Sequence, residues 1–187
     1  MSTPAATGPN TPAATIEQLL VEYDRALGHT AELWLDLSEA EVHWRPHAQS
    51  SAIGWHLGHQ AAVAHFLVRN LTAAEPSPDP ELDGLMDGAT AEPDRGVLPD
   101  LGRLSAYRDA VAERLRFRLG NIASGDVGAP AQLDVIGRTL LVAVVNHEYQ
   151  HAKWIGEVRE RDLGRPLPVA PLSPLLTEIE GYRVLAP

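Results

Sequence analysis

The chain has 187 residues, 44% of them apolar and 21% charged, the composition of a globular protein with one full hydrophobic core. Its formal charge of −10 opposes a DNA or RNA phosphate backbone, so nucleic acid is not an expected partner. No cysteine is present, which excludes disulfides, cysteine-bound metals and an enzyme thiol nucleophile, and leaves any thiol to be brought by a substrate.

The opening MSTPAATGPNTPAA lacks the basic start and apolar centre of a secretory signal. The longest strongly apolar run, Leu140 to Val145, has six residues, against the roughly 20 of a membrane-spanning helix. A cytoplasmic protein without membrane contact is the expectation. Residues 1–12, rich in Pro, Ala, Thr and Gly, read as a disordered tail, followed by one helical domain over 13–163.

A first helix is expected with Thr15 as N-cap and Gln18 at capping-box spacing. Its apolar face runs through Ile16, Leu19, Leu20, Tyr23, Leu27, Thr30 and Trp34. The connector LSEAEVHWRPHAQSS carries a helical turn capped by Ser38 and is closed by Pro46. A second helix runs from Ala52 to Leu71, its two glycines allowing close approach of neighbouring backbone. On it Trp55, Val63 and Phe66 lie within about 40° of His59, and His56 about 60° away, so His59 sits in an apolar stripe.

Residues 74–103 hold eight acids, two arginines and many prolines and glycines without periodicity. A connection of this length suits a crossover along a bundle or a flap over a site. The third helix is marked by Leu104, Tyr107, Val111, Leu115 and Leu119, with Gly120-Asn121 as its expected stop. A fourth helix is expected from an Asp134 N-cap to about Arg161, ended by Gly164 and Pro166. Residues 164–187 then read as a proline-rich extension. Four long amphipathic helices without a convincing strand predict an all-α four-helix bundle with a long crossover between helices two and three.

The fourth helix contains His147-Glu148-Tyr149-Gln150-His151, the H-E-x-x-H pattern of zinc peptidases. Histidines four apart share one helix face and can reach one ion. Here that face also carries Leu140, Val144, Ile155 and Val158, so both imidazoles point to the core. With His59 on another core stripe, the alternatives are a polar core cluster or a His59, His147, His151 metal site. One ion would satisfy three imidazoles that otherwise need separate buried partners, at about 1–3 kcal/mol for each one left unpaired. Three neutral nitrogens leave a coordination position open, as in catalytic sites, and suit zinc, iron, nickel and copper alike. His56 reads as a partner of the ligands, Trp55 as a wall of the pocket, and His65 as a surface or interhelical residue. Glu148 and Tyr149 are the candidates for proton transfer, with Arg159 and Asn146 as weaker neighbours. His29, His43 and His47 carry no spacing signal. A peptidase would need a further downstream ligand, where this chain has Trp154 and Glu157. Glu178 and Glu180 lie beyond a proline-rich break.

SSAIGWHLGHQ followed by NHEYQHAKWIGEVR resembles the DinB/YfiT-like superfamily, and LSEAEVHWRPHAQSSAIGWHLGH extends the likeness upstream. The two helix motifs are also similar to the N-terminal bundle of ergothioneine-type sulfoxide synthases, whose second catalytic domain a chain ending at Pro187 is not expected to carry. The resemblance implies a metal-binding four-helix bundle with helices two and three parallel, His59, His147 and His151 as ligands of one divalent ion (Zn, Fe or Ni), and no DNA contact. Activities in the family include bacillithiol and mycothiol S-transferases and mycothiol-dependent isomerases. It therefore implies a metal-dependent thiol transferase acting on a small-molecule substrate, with a low-molecular-weight thiol, mycothiol-like, as co-substrate. A homodimer is compatible with it. The competing readings are a metal- or ligand-binding stress or accessory protein without turnover, and, more remotely, a metallopeptidase.

Overall fold

The computed structural model describes residues 13–86 and 98–185. The expected tail over 1–12 and the middle of the long connection, 87–97, lie outside the described residues. Helix α1 spans Ile16–Glu32 and opens on the expected capping box, in which Thr15 accepts from the Gln18 backbone and the Gln18 side chain accepts from the Thr15 N–H. Such a cap contributes about 1 kcal/mol. Short α2, Glu39–His43, repeats the device with Ser38 and Glu41. Helix α3 covers Ile53–Val68, α4 covers Pro80–Met86, α5 covers Leu101–Ala123 and α6 covers Pro130–Glu157. A π-helical turn, Val158–Asp162, extends α6. Strands β1, Leu176–Ile179, and β2, Tyr182–Leu185, close the described chain as an antiparallel hairpin.

The four long helices form a bundle whose directions follow from their contacts. His56 meets His151 while Gln60 meets Glu148, so α3 and α6 are antiparallel. Arg108 reaches Leu57 and Gln60, and Arg118 reaches Thr72 and Glu75, so α3 and α5 run parallel, as the resemblance implied. A parallel pair needs a crossover along the bundle, which accounts for the long connection. Glu22 meets Tyr149 and Leu33 meets Arg159, so α1 and α6 are also parallel. The core between them is built from Leu19, Tyr23, Leu104, Leu115, Leu119 and Leu141 among others. No described helix is long and apolar enough to cross a membrane.

Several boundaries differ from expectation. Helix α6 starts four residues before Asp134, at Pro130, because proline at the first helical position has no N–H to satisfy and Ala129 turns into the left-handed region at φ 54°. Helix α5 is capped by Asp100, whose side chain accepts from the Arg103 N–H, and runs through Gly120-Asn121 to Ala123, with Gly125 just beyond its end at φ +78°. The long connection is not structureless, since α4 packs Leu82 and Met86 into the core. Nor does the extension lack strands: β2 packs on α6 with β1 paired to it, and Asn146 accepts a hydrogen bond from the Leu185 N–H at 2.7 Å. Phe66, placed on the core stripe, is 62% exposed, because that end of α3 opens onto a second cavity lined by Val63, Phe66, His59 and His147.

Candidate metal centre

Helix α3 is buried on most of its surface because α5, α6, α2 and α4 all pack against it. Its glycines permit that. A Cβ on Gly58 would lie 2.6 Å from the Met86 sulfur, and one on Gly54 would lie 3.3 Å from Val42 and His43 atoms. Through the first contact α4 comes close enough for the Met86 carbonyl to accept a hydrogen bond from His59 Nδ1 at 2.7 Å. With Nδ1 donating, Nε2 is the nitrogen His59 would offer a metal ion, the ring turned by a backbone oxygen as metal-binding histidines commonly are. Trp55 stacks on the same ring at 4.5 Å between centroids and 11° between planes, and the two fix its orientation.

Across from it, α6 presents His147 and His151 one turn apart, with ring centroids separated by 4.3 Å. His59 lies 5.2 Å from His147 and 5.1 Å from His151, measured between ring centroids. One nitrogen from each of the three falls within 4.8 Å of the other two, close enough to bind a metal ion. His151 is also 2.8 Å from His56 through their Nδ1 atoms, so one of the two donates to the other; with the proton on His151 Nδ1, Nε2 of His151 is the nitrogen left for a ligand. Burial pushes His147 down to about 4 and His56 down to about 3, and lowers His151 as well, with the neighbouring imidazoles adding to each. The rings are therefore neutral at pH 7, the form a cation needs. Three imidazole nitrogens suit a borderline divalent ion such as zinc, iron or nickel.

The cluster forms the floor of an open cleft of about 720 Å³ between the 46–51 loop, α3, α6 and the π-helical turn. Trp55 and His56 line it with the three histidines, as do Trp154, Gln150, His47 and Arg161. His47 and Arg161 went unnoticed because a loop and a helix end carry no periodic signal. His65 is not at the surface: it is buried, and lines the second cavity.

Three other expected site residues do not face the cleft. Glu148 forms an ion pair with Arg108 at 2.7 Å, both side chains nearly buried. Arg108 also donates to the Leu57 carbonyl and the Gln60 amide oxygen, and Gln60 donates to the Glu148 carbonyl, so this network ties α3, α5 and α6 together beneath the histidines. Tyr149, 200° around α6 from His147 and His151, donates to Glu22 on α1 at 2.9 Å. Arg159 clamps the end of α1, bonding the Leu33 carbonyl and the Asp36 carboxylate. Arg108 had a signal that was passed over: a charge four residues after Leu104 and three before Val111 on a core-facing stripe.

The family's sequence profile matches residues 22–155, more than two thirds of the chain, and spans α1 through α6 with all three histidines. The chain belongs to the DinB superfamily. No curated protein matches the sequence. Membership in the DinB superfamily accounts for the parallel α3 and α5 and the paired histidine motifs, and names no activity. The hairpin over 176–185 and Arg159 lie outside the matched segment.

Proposed function

We propose that the chain is a metal-dependent enzyme that joins a low-molecular-weight thiol, mycothiol-like in size and polarity, to a small electrophile. The observation that supports this best is the convergence of three imidazoles on an open cleft, where a three-nitrogen site leaves room for a further ligand. A divalent cation held by His59, His147 and His151 would supply the charge that favours thiolate over thiol. The chain's own residues position the reactants. Trp55 and the Met86 carbonyl hold the His59 ring, and the His56 and His151 Nδ1 atoms hold one proton between them. Gln150, His47 and Arg161 give the mouth polar and cationic groups suited to a polar thiol, while Trp154 and Trp55 offer apolar surface to the electrophile. In the transfer, the S–H proton passes to solvent water in the open cleft, sulfur forms a bond to carbon, and a halide departs with the carbon–halogen electron pair.

A second reading, metal or ligand binding without turnover, is favoured by one fact: Glu148 and Tyr149 are committed to Arg108 and Glu22 and offer the cleft no proton-transfer group. The same fact removes support for a peptidase, whose general base Glu148 would be. The test incubates metal-loaded protein with mycothiol or bacillithiol and a chlorinated aromatic electrophile, and follows the conjugate by mass spectrometry. Conjugate formed faster than in the protein-free control is the expected result. Bound metal with no conjugate from either thiol would overturn the transferase reading in favour of the second.

A further inference from the structure

On the face of α6 turned away from the histidines lies a separate cavity of about 250 Å³. It runs along α6 and into the π-helical turn, from Tyr149 to Glu160, and is walled on the far side by α1 and the C-terminal segment. Its two ends differ. Near Gly156 stand Leu33 and Leu167, whose methyl carbons would lie 3.7 and 3.3 Å from a Cβ added at that glycine; Lys153, Glu157 and Glu160 also line the cavity, the first two paired with each other at 3.9 Å. Near Tyr149 they are His29, Arg183 and Glu178.

The polar end carries groups without partners. Nδ1 of His29 is buried and makes no hydrogen bond. The Arg183 guanidinium makes no hydrogen bond or ion pair among the described residues. Glu178 stands directly opposite Arg183 in the hairpin register, both face the cavity, and the two do not form an ion pair within 4.0 Å. Burial and the Arg183 charge both lower the His29 pKa, and a neutral imidazole in its Nδ1–H tautomer can donate to an anion. An unpaired buried donor costs about 1–3 kcal/mol, which a bound acceptor would recover.

We propose that this cavity binds a free α-amino acid with an apolar side chain. The carboxylate meets the Arg183 fork and His29, the ammonium meets Glu178, and the side chain lies toward Leu33 and Leu167. A zwitterion satisfies both charges of the unjoined cross-strand pair at once, and the small volume limits the ligand to about a dozen non-hydrogen atoms. The site does not depend on the metal centre, and the hairpin that supplies Arg183 and Glu178 lies outside the segment matched by the superfamily.

The test is thermal denaturation of the full metal-loaded chain with millimolar L-leucine, 4-methylpentanoate (no ammonium) or 3-methylbutylamine (no carboxylate). Leucine is expected to give a saturable rise in Tm of about 3 °C, and the two truncated probes less than half of it. Arg183→Met is expected to abolish the rise. If that variant's own Tm shows a folding defect, Arg183→Lys, which keeps the charge and loses the fork, replaces it, and a reduced rise is expected. No rise with leucine, an equal rise with either truncated probe, or an undiminished rise in the folded Arg183 variant would overturn the proposal.

Discussion

At the scale of single residues, Glu148 changes meaning most between pattern and structure. In H-E-x-x-H it is the letter that performs catalysis, yet here its carboxylate neutralises a buried arginine. Removing one partner of a buried ion pair leaves the other charge stranded, at about 3–5 kcal/mol. Glu148→Gln is therefore expected to lower Tm by about 6 °C or more while the folded fraction still binds metal, read by calorimetry and metal analysis. Unchanged stability with abolished activity would instead restore its catalytic role. Gly58 carries a subtler dependence. Alanine there must push aside the side chain of Met86, the residue whose carbonyl turns His59. Since hydrogen bonds to ligand rings tune affinity by about 10–100-fold, Gly58→Ala should weaken metal binding about tenfold in a competition titration.

The histidines also set a pH dependence. Folded His56 and His147 are held down at about 3 and about 4, chiefly by burial, while in the unfolded chain they titrate near 6.5. The unfolded state thus takes up more protons as pH falls, so stability is full above about 6.5 and is lost progressively toward 4. Urea midpoints of chelator-treated protein should fall across that window. A flat profile would show that the rings are not buried as neutral bases.

At the scale of elements, the capped starts of α1 and α2 were readable because Thr15 with Gln18 and Ser38 with Glu41 each state both halves of a capping box within four residues. The start of α6 was misread because Asp134 is a good cap residue, whereas Pro130 preceded by a left-handed Ala129 is a signal of position and not of side-chain chemistry. The hairpin was missed for a related reason. Its strands are four residues each, and of the turn pair only Gly181, at φ 78°, is a turn residue: Glu180, at φ 52°, stands where asparagine, aspartate or glycine is usual. Arg159 belongs to this scale too, as the tie between the π-helical turn and the end of α1. Arg159→Met should cost about 2 kcal/mol through lost charged hydrogen bonds, seen as a lower urea midpoint, with metal stoichiometry unchanged. Loss of metal in that variant would place Arg159 in the site after all.

At the scale of the whole molecule, the bundle does for the histidines what no local sequence could. His59 and His147 are 88 positions apart in the chain, and they meet because a crossover sets α3 parallel to α5 and antiparallel to α6. Periodicity was enough to nominate the three ligands, since each interrupts an apolar stripe. It could not supply the Met86 carbonyl, the Arg108 network beneath or the cleft above, because these depend on how α4, α5 and the 46–51 loop dock. The central claim is that His59, His147 and His151 hold one ion together. Its most direct test is the metal content of the purified chain beside that of folded His59→Ala and His151→Ala variants, by elemental analysis after dialysis. The account predicts about one divalent ion per wild-type chain and a large loss in each variant; full stoichiometry retained by both variants would contradict it.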